Sequence, residues 1–336
     1  AGDARIDPWA TIFKTVNLAG SKAQVYVETQ ATTPKGKAGA RLAVRLLDAN
    51  GRAVAQKNLT ANAQGTAAVQ LNIANAKAWS PEQPYLYTLE VSLYQGNKLA
   101  DRLRQRVGIR TVAVSKEHGF QLNGQSRKFK GVCLHHDLGP LGTAVNKAAI
   151  IRQIRLMKDM GVDAIRTSHN MPSQMQMQVC DSMGMMVMAE SFDAWKEPKV
   201  KNGYNLFYDQ WWRKDLENLI RGHRNHPSIV MWSIGNEIPE QWNKEGAQRA
   251  KDMTDYCHQL DNTRPVTCGG DNPKANTECG FYAALDVPGF NYRVNLYDEL
   301  ISKQPQGFIL GSETTSTVSS RGVYKFPVDE KKMATY

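Results

Sequence analysis

Ile229-Val230-Met231-Trp232-Ser233-Ile234 runs without a break into Gly235-Asn236-Glu237, and this stretch decides the fold. An apolar run of that length closed by turn residues predicts a strand buried on both faces, the kind found in parallel sheets. A carboxylate where such a strand emerges is not a solubility device. A second instance follows: Phe308-Ile309-Leu310 leads into Gly311-Ser312-Glu313. Working outward, apolar strands are expected at 129–134, 163–167, 185–189, 264–268 and 287–291 as well as 229–234 and 308–312. Amphipathic helices fall between most of them, among them Ala148 to Met160 and Tyr208 to His223. Strand–helix alternation at this spacing predicts a (β/α)₈ TIM barrel over residues 114–336. Seven strands are counted and only 23 residues follow Glu313, so the barrel is expected to be truncated before its eighth strand.

Residues 1–113 read differently. Ala23 to Thr29, Arg41 to Leu46 and Tyr85 to Val91 alternate apolar and polar residues with period two. Turn signals separate them at Pro34-Lys35-Gly36, Asn50-Gly51 and Gly96-Asn97. About seven short strands in such a length suggest an immunoglobulin-like β-sandwich. The expected chain is therefore multidomain, a sandwich over 1–113 followed by the barrel over 114–336.

Composition excludes several classes. The 336 residues are 41% hydrophobic and 22% charged, ordinary for a globular protein. No stretch approaches the roughly 20 apolar residues of a membrane helix, so no membrane partner is expected. Residues 1–5 show no apolar signal-peptide core. The net charge of +10 is uneven: residues 1–113 hold 15 Lys and Arg against 7 Asp and Glu, the remainder 27 against 25. The basic residues are scattered and no recognition motif accompanies them, so a solvated face is preferred over a nucleic-acid surface. Five cysteines without a CxxC pair indicate neither a disulfide framework nor a zinc site.

Four constellations carry candidate chemistry. Glu237 and Glu313 close the fourth and seventh expected strands. A lone Asn-Glu after a strand is usually a helix N-terminal acid. Two carboxyls at strand C-termini of one barrel instead suit glycoside hydrolysis, with one protonated as acid and later base and the other ionised as nucleophile. Arg166-Thr167-Ser168-His169-Asn170 closes the second strand, where an Arg keeps a carboxylate ionised. His135-His136-Asp137 closes the first, but neighbouring strand residues point to opposite faces, a poor arrangement for a metal. Asn291-Tyr292 closes the sixth, from which a phenol can reach a carboxylate. Glu190, Asp193 and Trp195 close the third, where a Trp is either a sugar-stacking platform or core. No GxGxxG, Walker or GxSxG element is present, which argues against nucleotide-dependent and serine-hydrolase chemistry.

These elements, in this order, resemble family 2 of the glycoside hydrolases, which includes β-galactosidases, β-glucuronidases and β-mannosidases. Trp79-Ser80-Pro81-Glu82 with Pro84-Tyr85-Leu86-Tyr87 looks like the end of the family's sandwich. Gly108-Ile109-Arg110, Leu122-Asn123-Gly124, Lys130-Gly131-Val132 and His135-His136-Asp137 look like its entry to the barrel. Arg166-Thr167-Ser168-His169, Cys180-Asp181 and Gly235-Asn236-Glu237 complete the match.

The resemblance implies a retaining exo-β-glycosidase acting on terminal β-D-galactosides, with a β-glucuronidase or β-mannosidase as alternatives. A non-catalytic carbohydrate-binding protein is the rival from another class. Glu237 would be the acid/base and Glu313 the nucleophile. Asn236 would bind the sugar 2-hydroxyl, Arg166 and Tyr292 would hold the nucleophile, and His136, His169, Asn170, Asp193 and Trp195 would line the sugar subsite. Asn170-Met171-Pro172 departs from the Tyr-Pro common in the family, so that wall is expected to differ. Ala194 and Trp195 occupy the places of magnesium ligands in some β-galactosidases, so no metal and no required cofactor is expected. The family's N-terminal jelly roll is also missing from the sequence. The expected partner is an oligosaccharide or glycoside, a homo-oligomer is allowed, and a periplasmic or secreted site suits a glycan-degrading enzyme.

Overall fold

The computed structural model describes residues 4–34, 36 and 39–315. The N-terminal part is a sandwich of two antiparallel sheets. One pairs β1 (Arg5–Ala19), β2 (Lys22–Thr32) and β5 (Thr66–Ile73); the other is ordered β4 (Ala53–Thr60), β3 (Arg41–Leu47), β6 (Tyr87–Gln95) and β7 (Lys98–Val107). The seven strands follow from the period-two pattern. On β2 the buried positions are Ala23, Val25, Val27, Thr29 and Ala31, each alternate residue. They face Val44, Leu46, Leu89, Val91 and Leu93, all with no exposed surface. Each such side chain contributes roughly 1.5–3 kcal/mol of apolar burial.

A small sheet of β8 (Val112–Ser115), β9 (Gly119–Leu122) and β10 (Gln125–Ser126) links the sandwich to the barrel. It starts at Val112, so the change of architecture comes slightly earlier than residue 114. Seven parallel strands then form one sheet in chain order: β11 (Gly131–His135), β12 (Ala164–Ser168), β13 (Met186–Glu190), β14 (Ile229–Asn236), β15 (Val266–Gly270), β16 (Val287–Asn291) and β17 (Leu310–Glu313). Helices α1 (Lys147–Asp159), α2 (Gln174–Met183), α3 (Tyr208–His223), α4 (Lys244–Leu260), α5 (Pro273–Glu278) and α6 (Tyr297–Ile301) cross over between them. Local chemistry fixes their starts. The side chains of Asn146, Ser173 and Asn243 accept from the backbone N–H groups of Ala149, Gln176 and Gly246, capping α1, α2 and α4. Strands β12, β14, β15 and β16 are buried at every position, as near-continuous apolar runs predict.

The sandwich grips the N-terminal ends of the barrel strands. Trp79 is fully buried there, and its indole N–H donates to the Asp181 carbonyl at 2.8 Å. Arg110 donates to the carbonyls of Pro227 and Ile229, at 3.1 and 2.7 Å. A Cβ on Gly108 would lie 2.6 Å from the Pro227 side chain, so only glycine allows this approach. Beside this contact lies a cleft of about 440 Å³ lined by Lys14, Arg110, Arg224, His258, Arg264 and Asp286, on the face away from the carboxylates at the strand C-termini.

Candidate active site

The polar residues of the site stand at the C-terminal ends of successive strands, where parallel barrels build chemistry. Arg166 comes from β12, Glu190 ends β13, Asn236 ends β14, Asn291 ends β16 and Glu313 ends β17. Glu237 and Tyr292 follow directly on β14 and β16. Both have left-handed backbone, with φ of 44° and 55°. That conformation is unfavourable for a residue with a side chain, and observed strain of this sort clusters at functional sites. It is held in place: Glu237 N–H donates to the Gly269 carbonyl at 2.7 Å, and Tyr292 N–H to the Glu313 carbonyl at 2.5 Å.

Asn291 joins the two carboxylates. Its Nδ2 lies 3.0 Å from Glu237 Oε1, 3.4 Å from Glu313 Oε2 and 2.9 Å from Asn236 Oδ1. Its Oδ1 accepts from Ser312 Oγ at 2.7 Å. One nitrogen lies in hydrogen-bond reach of both, so those two carboxylate oxygens are no more than about 6.4 Å apart, a bound that admits the ~5–5.5 Å spacing of retaining sites. Gly269 makes room for this hub, because a Cβ there would sit 2.7 Å from Asn291 Oδ1 and 3.0 Å from Arg166 Nη2.

Arg166 is the second organiser. Its side chain is 2% exposed. Nε donates to Glu190 Oε2 at 2.8 Å, Nη1 to Glu313 Oε2 at 3.0 Å and Nη2 to Asn236 Oδ1 at 2.8 Å. Burial opposes the guanidinium charge, but Glu190 and Glu313 outweigh it and hold the group above its ordinary range. The Tyr292 hydroxyl donates to Glu313 Oε1, so the Glu313 carboxylate accepts at both oxygens. Glu237 differs. Burial pushes its carboxyl up, Asp271 and Glu313 push the same way, and the Asn291 hydrogen bond and Lys199 only partly oppose them. The two carboxyls thus sit in contrasting surroundings, the pattern of an acid beside a stabilised carboxylate.

The remaining expected residues divide. His169 Nδ1 lies 2.6 Å from Glu190 Oε1, and its ring meets the His135 ring edge-on at 5.1 Å. Asp193 accepts from Lys199 Nζ at 2.9 Å and from Asn236 Nδ2 at 3.1 Å. Burial raises the Asp193 carboxyl, but Lys199 and Asn236 overcome it and leave it below its ordinary value. Asn170 is exposed beside His169. One expectation needs correction. Trp195 is no stacking platform: it has no exposed surface and donates its indole N–H to the Ile234 carbonyl at 2.8 Å. Of the adjacent histidines, His135 meets His169, while His136 Nε2 is 3.0 Å from the Thr143 carbonyl, since strand neighbours face opposite ways. Sequence reasoning did not assign roles to Asn291 or Glu190. The signal was a polar residue ending an apolar strand, as at Glu237. Among the described residues, no group of three His, Cys, Asp or Glu is gathered as a metal site would require.

Comparison with known proteins identifies the family. The model described as "Glycosyl hydrolases family 2, TIM barrel domain" matches residues 112–331, and "Glycosyl hydrolases family 2" matches residues 4–110. The chain is 33% identical to a β-galactosidase, BoGH2A, of Bacteroides ovatus, over 98% of this chain and 43% of that protein. It is 35% identical to a putative β-glucuronidase of Formosa agariphila, over 94% of this chain and 29% of that protein. A crystal structure of a glycosyl hydrolase family 2 member from Bacteroides cellulosilyticus superimposes with a TM-score of 0.86 at 36% identity, covering 90% of this chain and 40% of that one. The chain spans less than half the length of these relatives. Matched over both its sandwich and its barrel, the chain belongs to family 2 of the glycosyl hydrolases.

Proposed function

We propose that this chain carries the sandwich and most of the catalytic barrel of a retaining exo-β-glycosidase, with Glu237 as acid/base and Glu313 as nucleophile. The observation that carries the reading is the Asn291 amide, which lies within 3.0 Å of Glu237 and 3.4 Å of Glu313. It holds both carboxyls on one amide, close enough for the double displacement of a retaining enzyme. Glu313, ionised beside Arg166 and Tyr292, attacks the anomeric carbon. Glu237 gives its proton to the glycosidic oxygen, the aglycone departs, and the sugar stays esterified to Glu313. Glu237, now ionised, takes a proton from water, which attacks the anomeric carbon and releases Glu313. Asn236 keeps one amide hydrogen for the sugar 2-hydroxyl while its other contacts hold it rigid.

The preferred substrate is a terminal β-D-galactoside. Support comes from the Ser168-His169-Asn170 and Ser191-Phe192-Asp193 pattern and from the β-galactosidase that aligns with 98% of the chain. A β-glucuronide is the second reading, since the relative from Formosa agariphila bears that name. The test is incubation of the full-length enzyme with a panel of 2-deoxy-2-fluoro-glycosyl fluorides, followed by intact-mass measurement and peptide mapping. One sugar added at Glu313 is expected, and the labelling sugar identifies the specificity. A folded enzyme that no sugar labels would favour the carbohydrate-binding alternative.

A further inference from the structure

We infer that Glu190 is a positioning residue for this reaction, a buried anion that divides the Arg166 charge with Glu313 and fixes the ring nitrogen His169 offers to the sugar. The inference rests on the retaining reading above. Glu190 has no exposed surface and has hydrogen-bond partners at both oxygens. Arg166 Nε and Ser233 Oγ donate to Oε2 at 2.8 and 2.6 Å, and His169 Nδ1 lies 2.6 Å from Oε1. The buried ion pair with Arg166 makes Glu190 the acceptor in this cluster.

Two consequences follow from this geometry. His169 must carry its proton on Nδ1 to meet Glu190. In the neutral ring Nε2 is then bare and accepts from a sugar hydroxyl. The guanidinium is a rigid planar fork, so anchoring Nε on Glu190 fixes where Nη1 meets Glu313, at 3.0 Å, and where Nη2 meets Asn236, at 2.8 Å. Among the described residues, Arg166 from β12 and Tyr292 after β16 each hold one oxygen of Glu313, so a guanidinium that turns leaves one of them unheld. With Glu190 replaced by Gln, Nε loses its charged anchor and the fork no longer fixes Nη1 on Glu313 and Nη2 on Asn236.

The experiment measures kcat and KM separately for full-length wild type, Glu190→Gln and Glu190→Asp, with folding checked by thermal melting. The Gln variant should lose about ten- to hundredfold in kcat/KM, most of it in kcat. The Asp variant keeps the charge but shortens its reach, and should lose at least about tenfold. A role in folding alone would lower the melting temperature and leave kcat of the folded enzyme in place. A wild-type kcat in a folded Gln variant overturns the inference. If that variant does not fold, wild-type kcat/KM in the Asp variant overturns it. Wild-type enzyme is labelled in parallel with the fluoro-sugars: failure there sinks the retaining reading itself, whereas labelled wild type with unchanged kinetics in the Glu190 variants sinks only this inference.

Discussion

Tyr292 holds Glu313 twice, by its backbone N–H on the Glu313 carbonyl at 2.5 Å and by its hydroxyl on the carboxylate. The main-chain bond sets where β17 ends; the phenol stabilises the charge. Tyr292→Phe separates the two. It keeps the main-chain bond and removes one donor to the Glu313 carboxylate. Turnover should fall about 10²-fold or more with thermal stability little changed. Steady-state kinetics beside thermal melting decide it; wild-type kcat in the folded variant would show that the phenol is only packing.

Glu237 gives a stability prediction with a definite sign. Its folded-state carboxyl is raised, chiefly by burial, so folding favours the protonated form. That contribution is complete below the ordinary carboxylate range and is lost as pH rises through the raised folded value. At neutral pH the raised carboxyl therefore weakens the fold relative to a neutral amide, and Glu237→Gln should melt higher than wild type. The gap should close as pH falls below the ordinary carboxylate range. Melting curves at pH 3 and pH 7 test this; a Gln variant less stable at pH 7 would contradict it.

Gly269→Ala tests the hub from behind. The added methyl would lie 2.7 Å from Asn291 Oδ1 and 3.0 Å from Arg166 Nη2, so one of them must move. A displacement of that kind costs about 10²-fold in rate, whereas overpacking costs about 1–3 kcal/mol in stability. The expected variant is folded and nearly inactive, measurable by steady-state kinetics alongside denaturant unfolding.

Trp195→Phe should act on stability rather than on sugar affinity. The indole is buried in the barrel core and its N–H is taken by the Ile234 carbonyl. Losing that donor and part of the ring should cost about 1–3 kcal/mol. KM should stay within about twofold if the indole makes no sugar contact. A large rise in KM with unchanged stability would restore the stacking role.

Much of the architecture was legible because buried parallel strands advertise themselves. Ile229 to Ile234 has no polar face to hide, and the observed β14 begins at Ile229 as expected. Glu237 and Glu313 were legible for the same reason, as carboxyls ending apolar runs. The organisers between them were not. Asn291 gains its place only where β14, β16 and β17 converge, which no local spacing reports. His135 and His136 are chemically alike, and only the register of β11 against β12, pairing His135 with Ser168, selects between them. Trp195 could be assigned to core or surface only once the loop after β13 was seen folding beneath Gly235, where a Cβ would meet its indole nitrogen at 2.9 Å.

The grip of the sandwich on the barrel has a mechanical corollary. Trp79, Gly108 and Arg110 fasten one end of the strands, and among the described residues the groups bonded to the Glu237 and Glu313 carboxyls stand at the other. A side chain exchanged at the free end need not disturb the fastening. The molecule is laid out like a chisel, with a handle that tolerates no play and an edge that can be reground.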